Sequence, residues 1–199
     1  MNQYFQSLIL ERTGASALEE KEEIQELWSG YGKIIRVELE NAAVPSVVVK
    51  LVQIPRAHKH PRGWNTELGH QRKLKSYQVE TQWYRSYSEK SAARLPRCLA
   101  LEKQGESVLM VLEDLDAAGY PLRKKSLSWE EMGPCLEWLA KFHASYLGVQ
   151  PHGLWEVGTY WHLATRSQEW EALKDQKLIL WLRLLEMSTI PIEQLLSLY

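Results

Sequence analysis

Ser46-Val47-Val48-Val49-Lys50-Leu51-Val52 is a run of β-branched residues around one lysine. Branched side chains suit a pleated, half-buried surface, so the run predicts a strand. Successive side chains of a strand point to opposite faces. Val47, Val49 and Leu51 therefore share one face, and Val48, Lys50 and Val52 the other. A lysine among apolar neighbours is costly to bury unless its charge is paired. On the strand alone two readings stand: an ammonium that snorkels at a sheet edge, or one held by a partner.

Working outward, Ile35, Val37 and Leu39 alternate with Ile34, Arg36 and Glu38, which is again the period of a strand. The turn Asn41 to Pro45 joins the two strands, which predicts an antiparallel pair. Ser29-Gly30-Tyr31-Gly32 is a turn signal before them. Residues 3–11 and 16–27 read as helical or partly so. The second, with the charged text ALEEKEEIQEL, runs into a first strand around Ile24 to Trp28. Downstream, Pro55, Pro61, Gly63 and Gly69 make residues 53–70 a loop or insertion. Leu74, Tyr77, Trp83, Tyr84 and Tyr87 then predict a helix from about His70 to Ser91. Two further strands, Arg97 to Lys103 and Ser107 to Glu113, flank a Gln104-Gly105 turn. After a loop from Asp116 to Lys125, Ser128 with Glu131 forms a capping box for a helix ending at Gly148. The order is three strands, helix, two strands, helix: an α+β fold.

Composition narrows the function. The chain has 199 residues, 45% hydrophobic and 25% charged, so it buries a core and is not disordered. A net charge of -1 with mixed signs points away from nucleic acid. Cys98 and Cys135 are far apart, which argues against a disulfide framework or a zinc site and for a reducing, cytoplasmic setting. The apolar run near the N-terminus lacks a basic flank and does not read as a signal peptide. No 18-residue apolar run predicts a membrane span. The cationic stretch 56–75 reads as a solvated loop and helix start, and its His58 and His60 lack further metal ligands. His143 and Cys135 read as core or boundary residues of the last helix. No nucleophile elbow of the G-x-S-x-G type occurs.

Glu80 changes the balance for Lys50. It lies three residues after Tyr77 and four before Tyr84, on or beside the apolar stripe of its helix. A strand lysine paired with a helix glutamate is the ion pair that orients nucleotide phosphates in kinases. The alternative is two independently solvated charges. Gly30 and Gly32 would let backbone amides approach phosphates closely, but they equally make a plain hairpin turn. Val108 to Leu115 is an apolar strand running into Glu113 and Asp114. It reads either as a kinase hinge or as a core strand with a polar exit.

Together the glycine turn, SVVVKLV with Lys50, YQVETQWY with Glu80, VLMVLEDLDAAGY and LEWLAKFHAS resemble the aminoglycoside phosphotransferase and choline kinase superfamily. The nearest branch is the ecdysteroid-kinase-like one, and the resemblance spans roughly residues 24 to 170. It implies a protein-kinase-like fold, with an antiparallel five-stranded N-lobe carrying one helix and a helical C-lobe. It implies that Lys50 contacts ATP phosphates, that Glu80 holds Lys50, and that Gly30 and Gly32 lie over the phosphates. Glu113, Asp114 and Leu115 would form the hinge beside adenine. ATP, magnesium and a small-molecule hydroxyl acceptor follow as the implied ligands. The implied boundaries are an N-terminal helical segment 1–23, an N-lobe with hinge 24–116, a C-lobe start 117–177 and an atypical apolar tail 178–199.

The departures are as informative. The family's catalytic loop has His-Gly-Asp, then an Asn and a later metal-binding Asp. Here His152-Gly153 is followed by Leu154, no Asn follows Asn65, and Asp175 is the only Asp after Asp116. No catalytic residue and no metal ligand are assigned. The Leu-rich text from Leu178 suggests a truncation, a gene-model error or a frame change, with a genuine C-terminal helix as the competing reading. An inactive kinase-like domain is therefore expected. A nucleotide-binding pseudokinase, or an interaction module using the Leu-rich tail, is the alternative. A ligand-free structural protein is the third reading, and it requires that Lys50 and Glu80 do not meet.

Overall fold

The structure is a computed structural model that describes residues 1–27, 30–54 and 67–157. Ser29 of the glycine turn, the cationic loop through residue 66 and the apolar tail from Leu178 lie outside the described residues. The chain divides into two units, Met1–Leu154 and Trp155–Tyr199. The first unit holds every strand and helix described below.

Its centre is a five-stranded antiparallel sheet in the order β1-β2-β3-β5-β4. The strands are β1 (Ala17–Glu26), β2 (Gly32–Glu40), β3 (Ser46–Val52), β4 (Cys98–Gln104) and β5 (Ser107–Glu113). β3 holds the middle of the sheet, between β2 and β5, so the run around Lys50 is no edge strand. This removes the snorkelling reading in its edge form.

The alternation read from β3 separates two cores. Val47, Val49 and Leu51 pack with Ile35, Val37, Leu109 and Val111. α1 (Gln3–Thr13) covers that face with Phe5 and Ile9, both fully buried. Asn2 caps this helix by accepting the Phe5 N–H at 2.8 Å, and Gly14 ends it in the left-handed region at φ 69°. On the other face Val52 and Met110 join Leu27 and Tyr31, with Tyr77 and Tyr84 of α2 (Glu67–Ser86) packed against them. The sheet is thus covered by a helix on each side.

Three boundaries differ from the sequence reading. Residues 17–26 are a strand, where a helical segment was expected through residue 23. Its glutamates and lysine favour a helix in isolation, but pairing with β2 from Ala17 to Glu26 outweighs that weak local preference. Ion pairs fasten it: Lys33 with Glu20 at 3.1 Å, Lys21 with Glu38 at 3.2 Å, and Arg36 with Glu22. α2 begins at Glu67 rather than at His70 and ends at Ser86, followed by a 3-10 turn at Ser88–Lys90.

α3 (Trp129–Tyr146) starts with the expected capping box, in which the side chains of Ser128 and Glu131 each accept the other's backbone N–H. It meets the end of α2 through rings, with Phe142 and Trp83 centred 6.4 Å apart. The Tyr146 hydroxyl donates to the Tyr87 carbonyl at 2.9 Å. Cys135 and His143, read from the sequence as core or boundary residues, are exposed, and so are Leu136 and Leu139 beside them. Among the described residues only one side of this helix, with Phe142 and Tyr146, packs against the end of α2 and the turn after it.

Candidate functional site

Lys50 and Glu80 meet. The Lys50 ammonium donates to both carboxylate oxygens of Glu80, at 2.7 and 2.6 Å. Lys50 sits on central β3 opposite Ile34 of β2 and Met110 of β5, so three strands fix its Cα. Glu80 is carried over it by α2, whose Tyr77 and Tyr84 anchor the helix to the same face. The lysine side chain is 15% exposed and the glutamate 32%. The ligand-free reading required this pair to be apart, and it loses that support. An ammonium has three N–H donors. Glu80 takes two, and among the described residues no side chain or carbonyl takes the third. The Tyr77 ring lies 5.5 Å from the Lys50 Nζ. Burial, followed by the charge of Glu80, pushes the nearby Tyr84 hydroxyl up to about 12. It is therefore a neutral neighbour at physiological pH.

The two glycines do different things. Gly32 has φ +125°, and a Cβ there would lie 1.9 Å from the Leu51 carbonyl oxygen. It is glycine because β2 begins by running against β3. Gly30, at φ +72°, has open space where its Cβ would be. Tyr31 between them is 3% exposed. Its ring lies under the Lys73 ammonium at 4.5 Å, and its hydroxyl shares a hydrogen bond with Nδ1 of His70 at the start of α2. Burial holds the Lys73 ammonium below its ordinary pKa.

The segment leaving β5 is held from several directions. Asp114 is 3% exposed. Its carboxylate accepts from Arg36 Nε at 2.8 Å, from the Ser46 hydroxyl at 2.7 Å and from the Asp116 backbone N–H at 3.0 Å. Burial alone would raise its pKa, but the hydrogen bonds from Ser46, Arg36 and the Asp116 amide, with the Arg36 charge, hold it below the ordinary value. Arg36 also reaches Asp116 at 2.6 Å. Glu113 accepts from Arg94 at 2.8 Å and from the Arg97 N–H at 3.1 Å. The side chains of Glu113 and Asp114 are thus turned into the protein. Of the backbone, Glu113 N–H donates to the Arg97 carbonyl, and the Asp114 and Leu115 carbonyls accept from Ala118 and Tyr120. Leu115 N–H has no protein acceptor among the described residues.

His152-Gly153 lies beside the end of α2, where the Tyr87 hydroxyl donates to the His152 carbonyl at 3.0 Å. Among the described residues no three His, Cys, Asp or Glu side chains converge as a metal site would need. Also among them, no helix is long and apolar enough to cross a membrane. The sequence reading missed Arg36, Ser46 and Asp116. Arg36 carried only a weak signal, because it shares its strand face with Glu38 and Glu40 and so does not stand out as Lys50 does among its valines.

A five-stranded antiparallel sheet whose central lysine is clamped by a helix glutamate is an α+β layout consistent with a kinase-like N-lobe. Comparison with known families agrees: residues 72–152 match the model of the ecdysteroid kinase-like family, the branch that the motifs resemble. The match contains Glu80 and residues 113–115 and stops at His152. Lys50, Gly30 and Gly32 precede it, and the ion pair ties Lys50 to the matched region. No curated protein matches the chain.

Proposed function

We propose that this chain is the nucleotide-binding part of a kinase-like phosphotransferase whose parent reaction moves the ATP γ-phosphate to a small-molecule hydroxyl. The observation that carries the reading is the two-pronged contact of Lys50 with Glu80. A glutamate that holds the ammonium by two donors leaves the third for a phosphate oxygen, and the compact charge of lysine suits that role. The half-buried Ile34, Val48 and Leu112 form an apolar strip on the same sheet face, running from Lys50 toward Asp114. Adenine would lie on that strip and accept the Leu115 N–H. The described residues do not fit a magnesium site, so no role is routed through the metal.

In the parent reaction the acceptor oxygen bonds to the γ-phosphorus, the bond to the β-phosphate oxygen breaks, and a base takes the hydroxyl proton. This chain has Leu154 where the family has its catalytic Asp, and no Asn after Asn65. That observation favours a second reading within the first, a nucleotide-binding pseudokinase. Both readings predict binding, and they part at turnover.

Thermal unfolding of the 199-residue chain with and without Mg-ATP tests the proposal. A ligand at a hundredfold excess over its Kd adds about 2.7 kcal/mol, which raises the Tm by roughly 5–10 °C for a domain of this size. The rise should vanish in Lys50→Ala. A cooperative transition that ATP does not move would overturn the nucleotide reading. ADP release above that of a Lys50→Met control would overturn the pseudokinase reading.

A further inference from the structure

We infer that Arg36 is a positioning residue for the base end of the bound nucleotide, acting through Asp114 and Asp116 to hold the Leu115 N–H in place. The inference rests on the nucleotide reading and extends it to residues that the family match does not contain.

Arg36 and Lys50 share one face of the sheet. Ile34 is the register partner of Lys50, and Arg36, two residues on, is the partner of Val48. Val48 in turn faces Leu112. Lys50 therefore stands in the first row of the apolar strip, and Arg36 stands beside the second, from which its side chain reaches Asp114. Lys50 is paired with Glu80 on α2, and Arg36 is paired with the segment that leaves β5. From Met110, the β5 partner of Lys50, to Asp114 is four residues, about 13 Å at the rise of a strand. That span suits an extended nucleotide, with its phosphates at Lys50 and its base near Asp114.

The guanidinium joins β1, β2 and this exit segment at once. Its Nε holds Asp114, one terminal nitrogen holds Asp116 and the other holds Glu22 of β1. A planar fork with fixed donor directions sets such an angle better than an ammonium could. Ser46 adds a second grip on the Asp114 oxygen that Arg36 Nε holds, and Arg123 holds the Asp116 oxygen that Arg36 leaves free. Leu115 lies between the two clamped aspartates. Its N–H is then the hinge donor whose direction is set by residues on either side, while the neighbouring carbonyls are already engaged by Ala118 and Tyr120. None of these side chains needs to touch the nucleotide, because their effect is on the aim of one backbone donor.

The test separates the two ends of the ligand. Isothermal titration of the full chain with Mg-ATP and with Mg-tripolyphosphate reads base plus phosphates, and phosphates alone. In Arg36→Met, ATP affinity should fall about tenfold, within the range of indirect coupling effects, while tripolyphosphate affinity stays within about twofold. Arg36→Lys should recover only part of the loss, and Ser46→Ala should lose about threefold for ATP alone, a milder change that leaves the Arg36 pairs intact. Lys50→Met should weaken both ligands. Equal weakening of both ligands by Arg36→Met, or an unchanged ATP affinity in a folded variant, would overturn the inference and leave the nucleotide reading standing. If the unaltered chain binds neither ligand, the nucleotide reading falls, and the inference falls with it.

Discussion

Replacing Glu80 with Gln is the sharpest test of what the ion pair contributes. The change keeps the shape of the side chain and removes its charge. Lys50 then keeps its 15% exposure with no counter-charge. Removing one partner of a fully buried pair costs about 3–5 kcal/mol, whereas exposed pairs are worth about 0–1 kcal/mol. With Glu80 32% exposed, the cost falls between those limits, at about 1–2 kcal/mol. Each kcal/mol lowers the Tm of a domain this size by about 2–4 °C, so the expected fall is about 2–8 °C. Lys50→Met should behave differently. Methionine fits among Val48, Val52 and Met110, and the stranded Glu80 can still reach water, so the loss should be under about 1 kcal/mol. The double variant should be more stable than Glu80→Gln alone, because no charge is left without a partner. Urea and thermal unfolding of the four proteins by circular dichroism gives all the terms. If Lys50→Met is as damaging as Glu80→Gln, or if the double variant suffers both losses in full, the two residues are not paired and the reasoning fails.

Two further outcomes are expected. Asp114 is held below its ordinary pKa of 3.8, so the stability it contributes is fully present well above pH 4 and drains away as pH falls through the lower folded value. The stability gap between the unaltered chain and Asp114→Asn, measured by urea unfolding, should therefore be constant from about pH 5 to 8 and shrink below about pH 4; a gap independent of pH would contradict the hydrogen-bonded carboxylate. Gly32→Ala should cost more than about 2 kcal/mol, because its Cβ meets a backbone carbonyl at a positive φ. Gly30→Ala, with open space around it, should cost about 1–2 kcal/mol, and melting temperatures that reverse this order would refute the close approach of β2 and β3.

Much of the fold was legible because local pattern and tertiary need agree where the chain crosses the middle of the sheet. SVVVKLV alternates between two covered faces, so its strand, its register of buried residues and its single charge all read directly. Ser107–Glu113 was legible for the same reason, and the Ser128–Glu131 capping box because both partners lie within one turn. The acidic run before Glu26 was misread because its side chains say helix while its backbone answers to β2, a partner that periodicity within the run does not reveal. The Lys50–Glu80 contact was legible only in combination, since neither residue alone names the other across 30 positions. The clamp on Asp114 escaped because Arg36 and Asp114 are separated by 78 residues, and nothing local in either marks the pairing. Cys135 and His143 of α3 were read as core or boundary residues and are exposed, because a place on a helix states what it can bury, not what stands against it.

β1 ends the sheet on one side, and it carries five glutamates and one lysine among ten residues, most of them facing solvent. A bare strand edge is a template onto which another chain can add a strand. Here a second copy arriving edge to edge would bring its own row of carboxylates against the first. Like charges set directly opposite across a strand pair repel. The run that local propensity would have made a helix thus works against open-ended growth of the sheet from chain to chain, and its charge caps a ladder that hydrogen bonding alone would leave open.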